Sequence, residues 1–192
     1  MIGKKILVVG ATGSGKSTLA QKLSCALQIP HIELDDLHWD RNWTSSPHFE
    51  ARVSTAIQTH DCWIMDGNYS KVFSSLIYPE VDTIVWLDYS IWINYWRLWC
   101  RCWRRWWYQI PLWRSRNIDN LWTHLTSPTD SLFVWLWKTH PKIHERYNNL
   151  RQIDKDNKRK RPCWIQLTSP KETDQWLKDI VRNHLPSSKK ED

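Results

Sequence analysis

The sequence predicts a three-layer α/β/α fold built on a five-stranded parallel sheet, and three observations predict it. Five short apolar runs alternate with longer segments of helical periodicity along the 192 residues, the pattern of a sheet covered on both faces. The first run passes straight into a glycine-rich loop, and a helical pattern follows that loop. Two later runs end in an aspartate, so polar loops gather at the carboxyl edge of the sheet, where ligands of such folds bind.

Residues 5–9 are the first strand, an apolar run stopped by Gly10. Over 17–27, Leu19, Ala20, Leu23, Ala26 and Leu27 recur at helical spacing, and Pro30 closes the segment. A second strand is expected at 31–34. Ser45-Ser46-Pro47 then opens a helix running to about Thr59. A serine hydroxyl takes a free first-turn N–H there, and proline has none to leave unsatisfied. The third strand, 62–65, ends in Asp66-Gly67, and the fourth, 83–87, ends in Asp88. A long helix follows at 91–107. Residues 108–128 are polar, carry Pro111 and Pro128, and read as a loop or lid. A second long helix spans 131–150, with a break expected near Pro141. Residues 154–161 read as a solvated charge run, 163–167 as the fifth strand, 172–184 as the last helix and 186–192 as a flexible tail. The expectation is one domain over 1–185, a length at which roughly 70% of the unfolded surface can be buried.

The hydrophobic fraction of 41% suits a soluble protein, and no apolar run approaches the roughly 20 residues of a membrane span. The opening MIGKKILVVG places two lysines before an apolar run, but the run is short and enters the glycine loop, so it reads as a strand and not as a signal peptide. The five cysteines (Cys25, Cys62, Cys100, Cys102, Cys163) are odd in number and lack C-x-x-C spacing, which fits reduced thiols in a cytoplasmic protein. A net charge of +7 fits polyanionic ligands: ATP, phosphorylated substrates or nucleic acid. Monomer and homodimer both remain open.

Gly10-Ala11-Thr12-Gly13-Ser14-Gly15-Lys16-Ser17 fits G-x-x-x-x-G-K-[ST], the Walker A phosphate loop, with Thr18 following. Glycines let successive backbone N–H groups point inward at phosphate oxygens, and the next helix adds its N-terminal dipole. Lys16 is the group to reach the β- and γ-phosphates, and the Ser17 hydroxyl is a Mg²⁺ ligand. Asp66 at the end of the third strand would anchor the metal through water, with Asp88 a competing candidate. Asp35 and Asp36 follow the second strand, where a carboxylate can take the proton of an attacking hydroxyl, and Asp35 is favoured. His38 is read as a surface histidine that could contact substrate.

On the helix 91–107, Trp92, Trp96, Trp99, Trp103 and Trp106 recur at steps of four and three, and this seam is expected to be core packing. Arg97, Arg101, Arg104 and Arg105 form a stripe beside it, continued by Arg114 and Arg116. The stripe has three readings: a clamp on the transferring phosphoryl group, with Arg101 and Arg105 catalytic; a nucleic-acid surface with tryptophans stacking on bases; or a solvated face.

The segments GATGSGKSTLA, HIELDDLHWD, WIMDGNY and TIVWLD, followed by the arginine-rich helix, resemble the small P-loop proteins of the DNA-topology-modulation (FlaR-related) group. These are similar in turn to adenylate, shikimate and gluconate kinases. The resemblance covers about residues 1–180. It implies a P-loop NTPase sheet of five parallel strands, a mobile helical lid near 108–128, and ATP as phosphoryl donor. It also implies that Thr168-Ser169-Pro170 lie near the adenine. The D-G-F-P-R loop of adenylate kinases is here Asp66-Gly67-Asn68-Tyr69-Ser70, and their T-G-[DE] segment is Leu34-Asp35-Asp36. Both departures point away from AMP and towards a hydroxyl acceptor. A small-molecule kinase is therefore expected, with a nucleoside-monophosphate kinase and an ATP-dependent nucleic-acid-binding regulator as alternatives.

Overall fold

The computed structural model describes residues 2–108, 111–112, 117–118, 131–156 and 162–184. Its strands are β1 (Lys5–Gly10), β2 (His31–Glu33), β3 (Trp63–Asp66), β4 (Thr83–Leu87), β5 (Pro111–Leu112), β6 (Asn117–Ile118) and β7 (Cys163–Leu167). Five of them form one sheet in the order β2-β3-β1-β4-β7, every pairing parallel, so the expected α/β architecture is present. β1 is central because both of its faces are apolar: Ile6 and Val8 point to one layer, Leu7 and Val9 to the other, none more than 1% exposed. β5 and β6 make a separate antiparallel pair that the sequence does not predict.

The helices are α1 (Lys16–Leu27), α2 (Leu34–His38), α3 (Phe49–Thr59), α4 (Ser70–Val72, continued by a π-helical turn Phe73–Ile77), α5 (Ile91–Tyr108), α6 (Leu132–Asp156) and α7 (Pro170–His184). Leu19 and Leu23 of α1 and Leu177 and Ile180 of α7 cover the Ile6–Val8 face. Val53 of α3, Phe73 and Ile77 after α4, and Tyr147 of α6 cover the opposite face. α5 packs through Leu98 and Cys102 against Phe133 and Leu136 of α6 and against Ala11 of the glycine loop. No helix among the described residues is long and apolar enough to cross a membrane.

Three expectations are corrected. Pro141 does not break its helix: α6 runs through it. The proline ring faces solvent, while Leu136 and Tyr147, 0% and 1% exposed, anchor the helix on either side. The charge run does not begin in solvent at 154. Asp154 is 6% exposed in the last turn of α6, and its carboxylate accepts hydrogen bonds from the Tyr78 hydroxyl and from Trp164 Nε1. Only Trp106 of the expected tryptophan seam packs on a core cluster: Trp92 and Trp96 are 71% and 69% exposed, and the buried residues of α5 are Asn94, Leu98 and Cys102. The reason is distance. The Asn94 turn lies so close to the glycine loop that a Cβ on Gly13 would sit 2.5 Å from the Asn94 carbonyl oxygen, which leaves no room for an indole.

α7 starts two residues before its periodicity does. Ser169 Oγ accepts the Glu172 N–H at 3.2 Å and the Glu172 carboxylate accepts the Thr168 N–H at 2.7 Å, a capping box with Pro170 in the first turn. The lid expected over 108–128 and the tail at 186–192 fall almost wholly or wholly outside the described residues, as do Arg114 and Arg116.

Candidate nucleotide and metal site

β1 delivers the chain into a loop that only glycine could form. Gly13 and Gly15 have φ of +84° and +93°, in the left-handed region. A Cβ on Gly15 would lie 2.7 Å from a guanidinium nitrogen of Arg97, so the loop is backed by α5 on this side as well. Gly15 is also the N-cap of α1 and offers no side chain to the first-turn amides, which leaves them open to an anion. Inside the loop, Ser14 is 1% exposed and its Oγ has no hydrogen-bond partner in the protein. The Lys16 ammonium bridges the loop by donating to the Ala11 carbonyl at 3.1 Å. Burial lowers the Lys16 pKa; Asp66 and then Asp35 oppose this, and Arg101 adds to it. Lys16 is thus the point on which Asp35, Asp66 and Arg101 all act.

The register of β1 and β3 sets Val8 beside Asp66. From there the Asp66 side chain, 2% exposed, accepts the Ser17 hydroxyl at 2.7 Å through Oδ2 and meets His31 Nε2 at 2.7 Å through Oδ1. A hydroxyl and a carboxylate, both hard oxygen donors, therefore stand together beside the loop, and they fit Mg²⁺. Among the described residues no group of three His, Cys, Asp or Glu side chains forms a fuller cage. A cation here would take its other ligands from phosphate and water, the usual habit of Mg²⁺.

The four residues from Asp66 to Tyr69 each hold a different part of the site. Gly67 has φ +147°, and a Cβ on it would press on the Leu34 side chain at 3.0 Å. Asn68 braces the loop, its Nδ2 donating to the Gly10 carbonyl at 2.6 Å while Oδ1 accepts from the Tyr147 hydroxyl at 3.2 Å. Tyr69 donates its hydroxyl to Asp35 Oδ1 at 2.6 Å. Burial, and then the Asp35 charge, push the phenol's pKa up, so it stays a donor. Of the two neighbouring aspartates, Asp35 is the one that Tyr69 holds and whose charge acts on Lys16.

His38 is half-buried, with its Nε2 3.2 Å from the Ser45 hydroxyl on the exposed side. Its ring is packed among Trp39, Phe49 and Tyr69 at centroid distances of 4.6, 4.7 and 4.5 Å. Burial lowers its pKa, with Asp35 pulling the other way. Asp88 faces elsewhere: its oxygens meet His144 Nδ1 and accept from Gln166 Nε2, both at 2.8 Å. On α5, Arg97, Arg101 and Arg105 lie four residues apart on one half-buried edge, while Arg104 is exposed. Arg97 sits over the Tyr89 ring at 5.8 Å. With Trp92, Trp96 and Pro170 it lines an open groove next to the cleft above Gly15 and Thr18.

Sequence reasoning missed His31, and it gave Asn68 and Tyr69 no role beyond their motif. His31 meets Asp66 across 35 positions through strand register alone, which leaves no local signal. Asn68 and Tyr69 did leave one, in the polar run directly after a strand-end aspartate.

No family model and no curated protein sequence matches the chain. Among solved structures, it is similar to a gluconokinase from Sinorhizobium meliloti 1021, at 17% identity over 93% of this chain and 94% of that one, with a TM-score of 0.47. It is also similar to a sugar kinase from Janibacter sp. HTCC2649, at 12% identity over 93% of this chain and 90% of that one, again with a TM-score of 0.47.

Proposed function

We propose that the protein is an ATP–Mg²⁺-dependent phosphotransferase that moves the γ-phosphate to a hydroxyl of a small acceptor. The observation that carries this reading is the convergence of Lys16, the Ser17–Asp66 pair and Asp35 on one phosphate loop. The loop amides of Gly10–Ser17 and the start of α1 would cradle the phosphates, with Thr18 beside them. Lys16 would exchange the Ala11 carbonyl for phosphate oxygens. Ser17 and, through water, Asp66 would hold Mg²⁺, which supplies charge neutralisation on the phosphates when bound. The groove between Arg97 and Pro170 offers a place for the adenine, an arginine face on one side and an apolar ring on the other.

Asp35 would accept the proton of the acceptor hydroxyl as its oxygen attacks, with the Tyr69 hydroxyl fixing the other side of the carboxylate. Arg101, whose charge acts on Lys16, and Arg105 one turn on along the same half-buried edge of α5 would steady the charge on the transferring group. A hydroxyl acceptor fits better than a phosphorylated one. Among the described residues, three cations that could hold an acceptor phosphate already have partners: Arg52 meets Asp40 and the Leu37 carbonyl, Lys71 meets Glu50, and Arg146 meets Ser70. The test is transfer of labelled γ-phosphate to pooled nucleosides, nucleoside monophosphates, sugars and sugar acids, with Lys16→Ala as control. A product made only by the intact protein establishes the kinase, and ATP binding without any product counts against it.

A further inference from the structure

The tryptophans of α5 form an exposed ladder that the nucleotide site does not use. Trp92 and Trp96 flank the groove beside Arg97, but Trp99, Trp103, Trp107 and Tyr108, which are 37%, 47%, 64% and 69% exposed, continue well past it. Trp99 stacks on Trp103 at 6.3 Å and Trp103 on Trp107 at 6.4 Å, with interplanar angles of 26° and 18°. The rings thus run near-parallel to one another along the helix. On the neighbouring α6, Trp135 and Trp137 are 58% and 59% exposed. Isolated exposed apolar side chains are ordinary, but a run of exposed aromatic rings in contact with one another along one helix marks an interaction surface.

Charge selects the partner. α5 contains four arginines and no acidic residue, and no Asp or Glu occurs over 131–144 at the start of α6. Arg104 stands on the exposed face, Arg101 and Arg105 on its edge, and Lys138 of α6 is exposed. We infer that the face of α5 from Trp99 to Tyr108 docks on the surface of an anionic phospholipid bilayer, lying in the interface without crossing it. At 18 residues α5 is about 27 Å long. Indoles place an apolar body at the acyl boundary and an N–H among headgroups, and arginines meet the lipid phosphates. Single-stranded nucleic acid fits less well: it needs open ring faces and a basic track on the same side. Here Arg104 alone of the four α5 arginines stands on the exposed face, and Arg97, Arg101 and Arg105 lie along its half-buried edge. A second copy fits less well too, since a two-fold contact would set this cationic, acid-free face against itself.

The test is co-sedimentation of the full chain with vesicles of equimolar phosphatidylcholine and phosphatidylglycerol, beside vesicles of phosphatidylcholine alone. The comparison variant is Trp103→Gln/Trp107→Gln, whose side chains lie outside the nucleotide groove. The intact protein is expected to partition to the anionic vesicles, and much less to the neutral ones. The double variant should weaken partition by roughly tenfold or more while nucleotide binding is unchanged. Bromine-labelled phosphatidylglycerol should quench the intact protein's tryptophan fluorescence, which reads contact without any variant. Partition to neither vesicle, no quenching, or equal partition of the double variant each overturns the inference. Retention of an oligo-dT strand or concentration-dependent dimerisation that the double variant abolishes would assign the face to nucleic acid or to a second copy, and overturns it equally.

Discussion

Replacing Asp66 by asparagine keeps the side chain's shape and removes its charge. The carboxylate has two contacts of 2.7 Å, to the Ser17 hydroxyl and to His31 Nε2, and an amide can keep both if its oxygen and nitrogen are suitably turned. Two charge-assisted bonds become ordinary ones, a loss of about 1 kcal/mol each, but a buried charge also disappears, which returns part of that. The net change in stability should stay within about 1–2 kcal/mol, or roughly 2–8 °C in thermal midpoint for a chain of this size. The effect on metal should be larger. A group that holds a cation through water, when lost, typically weakens metal affinity by about 10–100-fold. Nucleotide affinity should therefore need about 10–100-fold more Mg²⁺ to reach its plateau, while affinity in the presence of a chelator should hold or rise because a negative charge near the phosphates is gone. Calorimetric titration of ATP across a Mg²⁺ series reads both quantities. An unchanged Mg²⁺ dependence with a folded variant would refute the reasoning and leave Asp66 as a structural partner of Ser17 and His31.

Asp35→Asn should lower phosphoryl transfer by about 10²–10⁴-fold with little change in ATP affinity, and Tyr69→Phe should lower it less; equal ATP and transfer losses in Asp35→Asn would point to a misfolded loop. Gly13→Ala should cost about 2–5 kcal/mol in chemical denaturation. It adds a left-handed strain of about 1–2 kcal/mol to a collision with the Asn94 backbone, whereas at Gly15 the same change meets only the mobile tip of Arg97 and should cost less. Asp154→Leu should destabilise by about 1–3 kcal/mol, because it leaves the half-buried Tyr78 hydroxyl and Trp164 Nε1 without their acceptor; a cost near zero in urea unfolding would contradict the pairing. Folding lowers the His38 pKa below 6.5, so between the lowered value and 6.5 the unfolded chain binds more protons. The stability from neutral His38 is therefore full above pH 6.5 and erodes below it, and His38→Phe should flatten that part of a thermal-midpoint profile.

The sheet was legible because its signals are local. Each strand is a short apolar run closed by a glycine, proline or aspartate, and parallel strands buried on both faces have few other ways to read. The glycine loop after β1 was legible for the same reason, since its backbone geometry demands glycine at fixed positions. α5 was misread because periodicity defines faces without saying which one is inside. Its tryptophan face has the larger apolar side chains, and bulk argued for the core. Its Asn94–Leu98–Cys102 face is smaller, and small side chains are what a close approach to Gly13 requires. The neighbour's distance chose the buried face, and that distance is not written in the helix's own sequence. Asp154 was misread in the same way: its partners, Tyr78 and Trp164, lie 76 and 10 residues away.

The segment Asp66–Tyr69 explains why the site holds together. In one turn after β3, the chain supplies a carboxylate to Ser17, a brace to Gly10 and a hydroxyl to Asp35. Gly67 lets this happen by turning where a Cβ would press on Leu34, the residue just before Asp35. The loop that would hold phosphate and the carboxylate that would receive the acceptor are thus tied to the same four residues. Asn68→Ala removes the only one of these contacts that reaches the loop backbone without touching a charged group. It should therefore weaken nucleotide binding while leaving the Asp35–Tyr69 bond intact, and loss of transfer at saturating ATP would show instead that the brace also sets the acceptor side.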